Sequence, residues 1–209
     1  MNKGASLRIL PIGDSITEGY GSSDHNGWRL VLRNMLKQDG YGVQYIGSLT
    51  DGENNPDTHH EGFGAHSIDQ IYQRVTSDNI LDSKPNLVLL HAGTNDIDRS
   101  PPSEPYEGAP DRLAKLIDLI LQKCPDTVLL VATIIQDDHT GAQARADIFN
   151  AAIPSIVASR ASQSKIRVVD QKQIGGNDLV DLIHPTDAGY EKMAINWANT
   201  IRKLPQGWL

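Results

Sequence analysis

A single cysteine, Cys124, rules out any disulfide within the chain, so packing and hydrogen bonds must hold the fold together. It lies just before Pro125, at the end of a helical pattern and without an acid-base partner nearby in sequence, which is the setting of a buried, inert thiol. No hydrophobic run approaches the roughly 20 residues that a membrane-spanning helix needs. No Lys/Arg run is present either, and 26 acidic against 19 basic residues leave a formal net charge of −7. That mean field repels phosphate backbones and anionic membranes, so neither nucleic acid nor a membrane is an expected partner. Gly13, Gly19 and Gly21 follow the first apolar run but spell neither Gly-x-Gly-x-x-Gly nor a Walker lysine motif, which argues against nucleotide binding. The opening Met1 to Ser6 is too short and polar for a signal peptide, and a chain that had lost one would read the same.

What the 209 residues do contain is a regular alternation of apolar runs and helical patterns. Candidate strands are 7–12, 43–46, 87–91, 128–132 and 166–169; candidate helices are 27–38, 68–80, 110–123, 142–160 and 186–203. This order predicts βαβ units, a mainly parallel five-stranded sheet and a three-layer α/β/α sandwich. There is no repeat, no low-complexity segment and no linker, so residues 1–209 read as one domain, large enough to bury about 70% of its unfolded surface. Gly40 is placed to end the helical pattern at 27–38, and Thr186 to cap the last one. Two polar segments, 47–65 and the proline-rich 96–109, are expected as long loops walling a cleft.

Pro11-Ile12-Gly13-Asp14-Ser15 puts a serine where a buried strand leaves the core, at the sheet edge where α/β proteins build their sites. A serine hydroxyl is a poor nucleophile near neutral pH and needs a base, and Asp181-Leu182-Ile183-His184 offers an imidazole with a carboxylate three residues away to orient it. After the strand at 87–91, Gly93 permits close backbone approach and Asn95 can aim its amide at an oxyanion. His60 to Ser67 holds Gly62, Gly64 and Ala65 just before a helix, a source of backbone N–H donors. Taken alone, Ser15 is a turn serine, His184 a histidine near a helix cap, Asp181 a loop carboxylate and Asn95 an Asx-turn residue. Asp14 reads as a turn-shaping acceptor.

In combination, Gly13-Asp14-Ser15, the glycine-rich block at 62–65, Gly93-Thr94-Asn95-Asp96 and Asp181-x-x-His184-Pro185 resemble the four blocks of the SGNH, or GDSL, hydrolase superfamily. Residues 11–19 and 60–68 resemble carbohydrate esterase family 3 more narrowly, and the likeness runs from about Leu7 to Leu204. The resemblance implies a flavodoxin-like sheet, a secreted, extracellular setting and removal of acetyl groups from xylan. It implies Ser15, Asp181 and His184 as a catalytic triad, and the Ser15 N–H, the Asn95 side chain and a backbone N–H at Ala65, one residue after Gly64, as the oxyanion hole. Gly64 and Gly93 are the expected substrate-binding glycines.

Neither a metal nor an organic cofactor is needed for this chemistry. Adjacent His59 and His60 point to opposite sides of an extended segment and seldom converge on one ion, so they read as a cleft wall or a local hydrogen-bond cluster. The acidic stretch 51–57 lacks the EF-hand pattern and reads as a solvated loop. The expected partner is acetylated xylan or a related polysaccharide, met by a monomer. Two rivals remain: an SGNH hydrolase acting on a lipid or another ester, for which 5% aromatic residues and polar loops are a poor fit, and a silent carbohydrate-binding relative.

Overall fold

The computed structural model describes residues 4–98 and 104–209; Pro101 and Pro102 of the proline-rich segment lie outside them. Its centre is β1 (Ser6–Gly13), whose side chains alternate between two separate cores. Leu7 and Ile9 face one, Leu10 and Ile12 the other. The same alternation runs through β5 (Leu87–His91) and β6 (Val128–Ala132), in which every residue is buried. Strands covered on both faces read as continuous apolar runs, which is why these two have the bounds expected from sequence.

The parallel order is β2 (Gly42–Tyr45), β1, β5, β6, β7 (Ile166–Val169), the flavodoxin-like arrangement. α2 (Arg29–Gln38) and α7 (Asp187–Arg202) cover one face, where Trp28 and Trp197 meet with ring centroids 5.6 Å apart. α3 (Ile68–Ser77), α5 (Ala109–Lys123) and α6 (Ala142–Ala158) cover the other. Three layers result.

Two further strands lie within the segment expected as a loop. β4 (His59–Gly62) runs parallel to the last residues of β1, pairing Ile12 with Glu61 and Gly13 with Gly62, and β3 (Leu49–Thr50) pairs antiparallel with β4. β2 occupies the same edge of β1 farther back, from Ser6 to Ile9. The apolar alternation that marks a strand is missing from His59–Gly62, because its buried side chains are polar and are satisfied individually. Ser48 Oγ donates to Glu61 Oε2 at 2.9 Å, while His60 accepts from the Gly62 N–H at 2.9 Å and lies 3.1 Å from Asp51 Oδ2.

The acidic loop is solvated, with Asp51, Glu53, Asn54 and Pro56 exposed, and it is also tied down at several points. Buried Arg29 donates to the carbonyls of Asp51, Thr58, Glu18 and His25 at 2.8–3.0 Å, and the Asp57 carboxylate engages the Tyr45 N–H and His59. The histidine pair thus belongs to a hydrogen-bond cluster, and the positive charge facing this loop is a guanidinium.

Candidate active site

The C-terminal ends of β1 and β5 lie side by side at the point where strand order reverses, and each runs directly into a short helix. α1 (Ser15–Glu18) begins with the candidate nucleophile, and α4 (Thr94–Asp98) carries Asn95. Neither helix is long enough to show a 3.6-residue pattern, so both read as turns in the sequence. Asp14 caps α1, its Oδ1 accepting from the Ile16 N–H at 3.0 Å, as its turn-shaping reading anticipates. Gly13 is required by the close approach: a Cβ there would lie 2.1 Å from the His91 carbonyl oxygen and 2.3 Å from Thr17 Oγ1.

The candidate base, His184, arrives on a turn closed by Val180 N–H to His184 carbonyl at 2.9 Å, with Leu179 bridged to Pro185. Thr186 then caps α7 by accepting from the Gly189 N–H, as expected. Asp181 Oδ1 accepts from the N–H groups of Ile183 and His184 at 2.9 and 2.7 Å, and its Oδ2 lies 2.8 Å from His184 Nδ1. With that carboxylate as acceptor, Nδ1 carries the proton and Nε2 is left as acceptor. Ser15 Oγ lies 2.9 Å from Nε2. Partial burial alone would raise the Asp181 carboxyl; the hydrogen bonds from Ile183 and His184 outweigh it and hold the group below its ordinary value. Ser15, His184 and Asp181, separated by up to 169 positions in the chain, therefore form one continuous hydrogen-bonded relay.

The relay opens onto a cleft of about 370 Å³ lined by Ser15, Glu18, Tyr20, Gly64, Ala65, Asp181 and His184. Gly64 and Ala65 are exposed there, and Ala65, rather than the glycine, takes the left-handed conformation with φ +60°. A Cβ on Gly64 would come within 2.7 Å of Glu18 Oε2, the far end of a flexible side chain that can swing aside. Asn95 is buried behind the lining and donates one amide N–H to the His66 carbonyl at 3.0 Å, while His66 Nδ1 lies 2.9 Å from the Gly64 carbonyl. The second and third blocks are thus joined, and one Asn95 N–H has no partner among the described residues. Gly93 does not line the cleft; with φ +128°, a Cβ there would meet the Phe149 ring at 2.6 Å, so a packing constraint accounts for it.

A larger cavity of about 500 Å³ beside α6 is lined by residues such as Thr133, Asn150 and Lys172 and holds no serine-histidine pair. Three features of the site left no mark in the sequence. Glu18 enters the cleft one helical turn after Ser15, its carboxyl raised first by burial and then by Asp51. Tyr20 sets its ring 4.4 Å from the His184 imidazole at 56°. Asp96 accepts from the Ile68 N–H at 2.9 Å and from Arg112 Nε at 2.8 Å, locking α4 to α3 and α5.

A serine, an imidazole and a carboxylate in this order, beside N–H donors at a sheet edge, are the parts of an acyl-transfer site. Residues 12–192 match the GDSL-like lipase/acylhydrolase family. The chain belongs to that family. The solved relatives agree with the fold of that family. A family 3 carbohydrate esterase from Clostridium thermocellum superposes with TM-score 0.79 at 30% identity, over 95% of this chain and 97% of that one. A family 3 carbohydrate esterase from Talaromyces cellulolyticus gives TM-score 0.76 at 21% identity, over the same shares. A multidomain esterase of Ruminococcus flavefaciens is 29% identical over 224 residues, covering 94% of this chain and 28% of that protein, so the GDSL chain here spans little more than a quarter of that relative. No helix among the described residues is long and apolar enough to cross a membrane.

Burial pushes the Asp14 carboxyl up to about 7, against the pull of the Ile16 N–H. A carboxyl that holds its proton more tightly when folded stabilises the fold at low pH, and that contribution disappears as pH climbs from about 4 to 7. His60 and His91 act in the opposite sense: burial lowers each to about 4, so their contribution is present above the ordinary histidine pKa and is lost as pH falls toward 4. Both histidines cancel in a comparison of wild type with Asp14→Asn. Urea unfolding across pH 4–7 is expected to show the variant gaining on wild type by up to about 1.4 kcal/mol per pH unit. A constant difference would mean that Asp14 stays ionised throughout.

Proposed function

We propose that this chain is a serine esterase that removes O-acetyl groups from xylan through an acyl-enzyme, acting as a monomer on a polysaccharide outside the cell. The observation that carries the reading is the Ser15–His184–Asp181 relay opening onto an open cleft of mixed polar and apolar lining. In the mechanism His184 Nε2 takes the Ser15 proton as Oγ attacks the acetyl carbonyl. The oxyanion is met by the N–H groups of Ser15 and Ala65 and by the remaining Asn95 N–H. His184 returns the proton to the departing sugar alkoxide, and water, activated by the same imidazole, releases acetate from Ser15. Asp181 holds the imidazole's tautomer and stabilises the imidazolium. Similarity to a carbohydrate esterase along nearly its whole length supports a sugar ester as substrate, and a polymer of that kind is met outside a cell.

One observation favours a second reading. Of the five exposed large hydrophobic residues described, Tyr20 and the neighbours of Asp181, Val180 and Leu182, belong to the segments that form the cleft. They offer an apolar surface to a longer acyl chain as well as to the face of a sugar ring. Acetate release from acetylated xylan, with 4-nitrophenyl esters of increasing acyl length beside it, separates the two. The acetyl reading expects release from xylan and a steep fall in kcat/KM beyond acetyl; a preference for octanoyl would overturn it in favour of a lipid-type ester.

A further inference from the structure

Away from the cleft, three side chains close on one point. His139 Nδ1 lies 2.9 Å from Asp137 Oδ1 and 3.2 Å from Asp98 Oδ1, and the three residues offer ligand atoms all within 4.8 Å of one another. Of the two carboxylates, only Asp137 is within hydrogen-bonding geometry of Nδ1. Asp137 is 1% exposed, and its Oδ2 is buried with no hydrogen-bond partner among the described residues. A buried carboxylate oxygen left in that state costs free energy that a cation would recover.

We propose that Asp98, Asp137 and His139 bind a divalent transition cation of the zinc type. Imidazole nitrogen with two carboxylate oxygens suits zinc, whereas calcium takes six to eight oxygens. Tetrahedral bonds of about 2.1 Å set ligand atoms about 3.4 Å apart, so the observed 2.9 and 3.2 Å need only slight widening as the metal replaces the proton. The His139 side chain is 40% exposed, which leaves an open side for water as a further ligand.

The position gives the ion a structural task. Asp98 ends α4, the helix that carries Asn95, and the Asp138 N–H donates to the Leu182 carbonyl at 2.9 Å, next to Asp181. A metal here braces the segments behind the oxyanion donor and the base without touching the reacting atoms. It is not a participant in the ester chemistry.

The test uses the full chain, stripped with chelator, exchanged into metal-free buffer and titrated calorimetrically with zinc chloride, with calcium chloride in parallel. One zinc per chain is expected, bound at least tenfold more weakly by His139→Gln and by Asp137→Asn, with a zinc-dependent rise in Tm that both variants lose. His139→Gln alters a partly exposed side chain and keeps a hydrogen-bonding group, so circular dichroism can establish that it folds even if Asp137→Asn does not. Absence of saturable zinc binding, equal binding by His139→Gln, or binding of calcium in preference would each overturn the proposal.

Discussion

Ser15→Ala is expected to lower kcat for a small acetyl ester by about 10⁴- to 10⁶-fold while leaving the fold intact. The 2.9 Å contact from Ser15 Oγ to His184 Nε2 lets this hydroxyl pass its proton to the imidazole, and removing Oγ removes the bond-forming atom itself. His184→Ala should cost as much, and the double variant no more than either, because nucleophile and base act as one unit. Residual activity in all three would come from oxyanion donors acting on water. Initial rates on 4-nitrophenyl acetate, together with labelling by a fluorophosphonate probe, decide the matter. A wild-type protein that hydrolyses nothing and resists labelling at Ser15 would be a silent binding relative, and an active Ser15→Ala would place the nucleophile elsewhere.

The second large effect falls on stability. Arg112→Met is expected to destabilise the chain by about 3–5 kcal/mol, because it leaves the fully buried Asp96 carboxylate without its counter-charge. Burial already raises Asp96 toward its neutral form, and the bonds from Ile68 N–H and Arg112 Nε are what oppose that shift. The guanidinium also donates to the Pro105 carbonyl at 3.0 Å, so its loss frees the approach to α5 as well. In urea unfolding, Asp96→Asn combined with Arg112→Met should recover part of the loss, since no unpaired charge then remains buried. Strict additivity of the two single changes would show that the pair does not couple.

How far the sequence disclosed this molecule depended on whether a signal was local. Val128–Ala132 and Leu87–His91 are legible because strands buried on both faces read as near-continuous apolar runs, broken here only by the terminal His91. The Asp181–His184 pair is legible because carboxylate and base share one turn. β4 escaped because its buried His60 and Glu61 are paid for by partners 9 and 13 positions away, not by periodicity. Arg29 and Arg112 look like surface residues of amphipathic helices, and only the folded chain shows the carbonyls and carboxylate that they serve. Tyr20 and Glu18 enter the cleft because α1 ends within one turn at Gly19, with φ +103°, a constraint that residue spacing does not reveal.

The Asp181–His184 turn carries a mechanical consequence. Orienting carboxylate and imidazole are fixed to each other by three hydrogen bonds within four residues, so they travel as one rigid part. The relay then has a single tolerance to meet, the gap between that part and the start of α1. Distant substitutions, temperature or a bound ion can tune proton transfer from Ser15 by changing how often that one gap is closed.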